Sequence, residues 1–171
     1  MVTQGHRRRI IRVTPTLSTD AYAQGDVLFV ATEIPHAVMG KGECSRLLAA
    51  FCLSQAHSNA DDLDVYFTEA NTALGTINAT ANISDEDMEA IGVNMIAKLD
   101  ADQGSTSTSI DTSRIYPVLS LTGSSEGYQP LGLIQAAAGS TNVYVSGLLT
   151  SGTTPTYAAY DIDLIFHIQY K

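Results

Sequence analysis

A chain of 171 residues, 44% hydrophobic and only 16% charged, is long enough for one domain with a real core. Thr, Ser, Ala and Gly stand where charge is missing, a composition of all-β surface or structural proteins rather than of helical enzymes. Arg7, Arg8, Arg9 and Arg12 are four of nine basic residues; the 159 residues after them carry five bases against 18 acids, a net of −13, which excludes the broad basic face of a nucleic-acid-binding body.

No run of about 18 apolar residues offers a transmembrane helix. The N-terminus has no apolar h-region, so no signal peptide is expected. Arg7 to Thr14 is β-branched, ends at Pro15 and reads as a first strand whose arginines meet acidic neighbours, within the subunit or on another one. Residues 1–24 are therefore assigned as a basic N-terminal strand or arm, and residues 25–171 as a single β-sandwich domain. Asp26 to Thr32 is a second strand; Ile34 to Val38, broken by Pro35, suits an edge or loop.

Glu43 to Ala56 fits two patterns. A helix would align Leu47, Leu48, Phe51 and Cys52. A strand would turn Leu47, Ala49, Phe51 and Leu53 to the core and Arg46, Leu48, Ala50 and Cys52 away, and the β-rich surroundings favour the strand. On that strand Cys44 and Cys52 face one side about 26 Å apart, beyond disulfide reach, and are expected as buried thiols.

Leu63 to Thr68 places Leu63, Val65 and Phe67 inward. A short helix follows at about 84–91, with Ser84 as N-cap, Asp87 at the capping-box position and Gly92 as its stop. Then come a strand from Val93 to Leu99, a polar loop from Asp100 to Ser113, and apolar segments at Ile115–Leu121 and Gly132–Ala136. The last third closes the fold. Thr141–Thr150 is a strand, and Asp161–Tyr170 alternates Ile162, Leu164, Phe166, Ile168 and Tyr170 against Asp161, Asp163, His167 and Gln169. Only Ile165 breaks that alternation. The chain ends directly on this strand, which is expected to be paired inside the fold with a wet outer face. About eight or nine short strands and one helix predict an all-β sandwich or jelly roll.

Few residues suggest chemistry. Asp100, Asp102 and Asp111 stand at positions 1, 3 and 12 of a calcium-loop register, but Ser105 replaces the glycine and the helices are absent, so a solvated loop is expected. Asp61, Asp62 and Asp64 form an acidic cluster at the entry to a strand. Asp161 and Asp163 are expected to keep the last strand soluble or discourage stray edge pairing. His6, His36, His57 and His167 lack metal-ligand spacing, and no GxSxG or phosphate-cradling loop is present. No catalytic residue, metal or cofactor is assigned.

Five segments together resemble small virion proteins of tailed bacteriophages, those of cyanobacterial hosts in particular. They are Leu63-Asp-Val-Tyr-Phe67, Ala73-Leu-Gly-Thr-Ile-Asn78, Ile83-Ser-Asp-Glu-Asp87, Gly132-Leu-Ile-Gln-Ala-Ala-Ala-Gly-Ser-Thr141 and Gly152-Thr-Thr-Pro-Thr-Tyr157. The likeness runs from about residue 25 to the end. It implies a capsid decoration (cement) protein, a non-enzymatic, trimeric β-sandwich made in the host cytoplasm. Such a protein binds the major capsid protein on the outside of the head, with neither nucleic acid nor membrane as partner. Arg7, Arg8, Arg9 and Arg12 are then the expected interface. The competing expectation is a tail, neck or head-fibre module binding host carbohydrate, although the chain lacks the heptads of a fibre shaft.

Overall fold

The computed structural model describes residues 7–55, 62–99, 108–110, 113–120, 132–150 and 154–170. Among them run ten strands: β1 (Arg8–Val13), β2 (Val27–Ile34), β3 (Cys44–Ser54), β4 (Leu63–Thr68), β5 (Val93–Leu99), β6 (Thr108–Ile110), β7 (Ser113–Ser120), β8 (Gly132–Gln135), β9 (Val143–Leu149) and β10 (Ile162–Tyr170). One helix, α1 (Asp85–Ala90), lies between β4 and β5. Ser84 caps it by accepting the Asp87 N–H at 3.1 Å, and Gly92, at φ 58°, ends it in a conformation that suits glycine.

The strands form two antiparallel layers. The first runs β1-β10-β3-β7, with β8 on β3 and β6 on β7; the second runs β2-β9-β4-β5. β7 joins them: Arg114 to Val118 pair with β3, and Leu119 and Ser120 pair with β5. Nested pairing of first with last and second with next-to-last strand is the order of an eight-stranded jelly roll. The predicted all-β sandwich is the fold observed, and β10 is paired on both sides as expected.

The core lies between the layers. Phe166 of β10 and Phe67 of β4, both fully buried, meet edge to face across it with ring centroids 5.7 Å apart. Gly147 of β9 leaves room for the buried ring of Phe29, its partner on β2: a Cβ there would stand 2.3 Å from that ring. Residues 7–24 belong to this sandwich. Ile11, Val13, Leu17 and Tyr22 are in its core, and Leu17 and Tyr22 donate backbone hydrogen bonds to Ala159 and Pro155 at 3.0 and 2.9 Å.

A bulge in β3 corrects the predicted faces. His167 pairs with Ala49 but Ile168 pairs with Leu47, so Leu48 is the extra residue. Leu47 points inward as expected. Beyond the bulge the parity flips: Ala50, Cys52 and Ser54 are buried, and Ala49, Phe51 and Leu53 turn to the outer side. The same flip separates the cysteines, leaving Cys44 half-buried and Cys52 buried, both free. Burial pushes the Cys52 thiol up to about 12, with Asp163 adding to the effect. A thiol reagent at pH 8 is therefore expected to modify Cys44 in the folded protein and Cys52 only on denaturation, as read by intact mass.

The outer side of β10 is also corrected. Asp163 is 8% exposed; it accepts a hydrogen bond from the Thr14 hydroxyl and lies 3.6 Å from the Arg12 guanidinium. Asp161 accepts from the Ala158 N–H at 2.6 Å. Neither aspartate guards an edge, because β10 is flanked by β1 and β3, and Ile165, His167 and Gln169 are half-buried rather than wet.

Candidate docking face

Antiparallel partners point to the same side of a sheet, so the register lays out the outer side of the first layer row by row. One row reads Arg12, Ile165, Phe51, Pro117 across β1, β10, β3 and β7. A second reads Asp163, Leu53, Ile115; a third, Ile10, His167, Ala49; a fourth, Arg8, Gln169, Arg46, Leu133. The middle of the grid is apolar and three arginines stand at its rim. Ile10 is 66% exposed and Leu133 49%; Phe51, half-buried, leans edge to face on His167 at 5.5 Å.

The two layers differ in what covers them. Outside the second layer, Leu74 and Ile91 from the β4–β5 connection seal a small core against Val27, with Tyr66 and Leu148 packed on it. Among the described residues no helix or loop does the same for the first layer. Charge follows the same division. Arg8, Arg9, Arg12 and Arg46 are exposed on the first layer, whereas the connection over the second carries Glu69, Asp85, Glu86, Asp87 and Glu89. An apolar patch with a cationic rim that no described segment covers is the kind of surface that marks interaction sites on other proteins.

No protein-family model, curated protein or solved structure matches the chain.

The structure brings together part of the predicted interface and adds to it. Arg8 and Arg12 lie on the outer side of the grid. Arg9 falls in the opposite file, opposite Ile168, and is exposed at the strand's end; Arg7 precedes the strand and its carbonyl accepts the Tyr170 N–H at 2.9 Å. The expectation that these arginines meet acids is met within the subunit at Arg12 and Asp163. Arg46, Phe51 and Ile165 were missed as a site. Their signal was present in the break at Ile165 and in the double apolar character of Glu43–Ala56, because a strand apolar on both faces has two surfaces to cover.

Other candidates bring nothing together. Asp100, Asp102, Asp111 and Asp61 lie outside the described residues. No helix among the described residues is long and apolar enough to cross a membrane, and no cluster of three metal-ligating side chains forms among them. Asp64 of β4 has a carboxylate oxygen buried without a hydrogen bond. Desolvation raises its carboxyl above the usual range, with Lys98 across the strand pulling down and Asp62 pushing up. The folded form thus holds this proton more tightly than the unfolded one. That contribution is complete below the unfolded pKa and is lost as pH rises through the folded value. Asp64→Asn is expected to raise the melting temperature at pH 7 by about 1–3 °C and to leave it unchanged near pH 3.

Proposed function

We propose that this chain is a structural virion protein, a capsid decoration (cement) protein that binds the outside of a phage head through the outer side of its first layer. One observation carries the reading: the first layer is apolar on both sides, and its second side, rimmed by Arg8, Arg12 and Arg46, is uncovered among the described residues. A sandwich capped on one side and open on the other suits a module that lies flat on a larger surface and binds across subunit boundaries. Burying such a patch gains roughly 25 cal/mol per Å² of apolar area, and the arginines add orientation and salt dependence toward an acidic patch on the shell.

The jelly roll is compatible with this role but does not select it, since one fold serves many functions. The acidic remainder of the chain repels packaged DNA, as suits the outer side of a shell. The partner in this reading is the major capsid protein. The chain associates with itself as a trimer, for which the resemblance is the support.

The test is the copy number of the chain per purified particle, by quantitative mass spectrometry against the major capsid protein. Hundreds of copies in simple ratio to the shell subunit are expected. Six to eighteen copies would place the chain in the tail or neck and make host-carbohydrate binding the leading reading. None at all would overturn both.

A further inference from the structure

β1 ends the first layer, and among the described residues its only strand partner is β10. The Tyr170 N–H donates to the Arg7 carbonyl at 2.9 Å, which makes Arg7 and Tyr170 a hydrogen-bonded pair. Bonded and non-bonded pairs alternate along an antiparallel ladder, and the β1–β10 register runs from Arg8 opposite Gln169 to Val13 opposite Leu164 without a shift. Arg9, Ile11 and Val13 therefore exchange bonds with β10. Arg8, Ile10 and Arg12 turn their N–H and C=O groups to the free edge.

The same three residues place their side chains on the outer side of the layer. The edge thus offers a short template: a cation, an apolar side chain and a second cation, each beside an open backbone donor and acceptor. Pairing of β1 with β1 of another copy would bring arginines face to face, which like-charge pairing disfavours. A second copy is a poor occupant through this strand. An acidic one is a good match.

We propose that the free edge of β1 takes up an extended strand from an acidic partner, with carboxylates opposite Arg8 and Arg12 and an apolar side chain opposite Ile10. Main-chain bonds would supply the register and the arginines the choice of partner, as in other cases of strand addition. The virion reading enters only in naming the partner as a shell subunit; the edge chemistry stands without it.

Ile10→Pro is the decisive variant. Its lost N–H makes no bond inside the sheet, so proline is tolerated there as on other edge strands, and Arg9 before it is already extended. The probe is the synthetic peptide Thr-Glu-Thr-Val-Thr-Glu-Thr, blocked at both ends, with lysine in place of glutamate as control. Added to the full chain at low salt, the acidic peptide is expected to slow amide hydrogen exchange at Ile10 and Arg12, and the lysine peptide to leave it unchanged. Ile10→Pro should melt within a few degrees of the parent and bind the acidic peptide at least tenfold more weakly, whereas Ile10→Ala, which keeps the N–H, should lose less than threefold. Peptide that protects no β1 amide in the parent would overturn the proposal whatever the variant's stability; so would a stable Ile10→Pro that binds like the parent. In particles the two ideas separate. Edge binding of peptide by a chain absent from virions leaves this proposal standing and removes the virion reading. Undiminished decoration by Ile10→Pro does the reverse.

Discussion

Phe166→Ala is expected to destabilise the fold by about 3–5 kcal/mol, the cost of deleting a buried aromatic ring and leaving a cavity. Phe166 is fully buried on β10, the strand held between β1 and β3. Its ring meets Phe67 at 5.7 Å with planes inclined by 74°, one ring from each layer. The truncation therefore removes a contact between the layers, not only surface buried within one of them. Total stabilities of domains this size are about 5–15 kcal/mol, so the variant is expected to unfold in much milder denaturant than the parent. Urea denaturation followed by circular dichroism gives the measurement. Phe166→Leu, which keeps most of the volume, should cost less than half as much. A loss below about 1 kcal/mol for the alanine variant would mean that the layers are not held at this point.

If the chain docks as proposed, reversing Arg8 and Arg46 together is expected to abolish most binding to the particle. The two stand in one row on either side of Gln169, both exposed, so Arg8→Glu with Arg46→Glu should leave the melting temperature near that of the parent. Arg12 is left in place because it also faces Asp163. In the docking reading each reversal replaces an attraction to an acidic partner by a repulsion. At about 1.4 kcal/mol per tenfold change, even modest contacts give a loss of about a hundredfold at low salt for the pair. The residual binding should respond less steeply to added salt than that of the parent. Lys41→Glu, an exposed reversal in the turn before β3, is the control and should bind as the parent does. Co-sedimentation of purified chain with particles stripped of it provides the assay. Equal capture of the double variant and the parent would remove the arginine rim from the docking reading.

Much of the fold was legible residue by residue. Period-two alternation marked β4 and β10 with their inward faces, and Ser84, Asp87 and Gly92 bounded α1, because strand faces and helix caps are set within a few residues of chain. β3 was legible as a strand but not in its faces. Leu47 to Leu53 is apolar at odd and even positions alike, so nothing local marks where an extra residue enters; the pairing with β10 fixes the bulge at Leu48. Asp163 read as a solvent-facing acid because alternation gives a side, not a neighbour, and its neighbours Thr14 and Arg12 lie about 150 positions away in the chain.

The candidate face divides in the same way. The sequence by itself determined an all-β chain with a basic first strand, an acidic remainder and a last strand whose alternation fails at Ile165. The tertiary structure decided that Ile165 stands beside Phe51 and Arg12, that Arg46 joins Arg8 across Gln169, and that Arg9 falls in the opposite file. It also decided which of the two apolar sides of β3 is core and which turns to the outer side of its layer. Hydrophobic pattern records how much apolar surface a strand must cover; only the pairing of distant strands settles what does the covering.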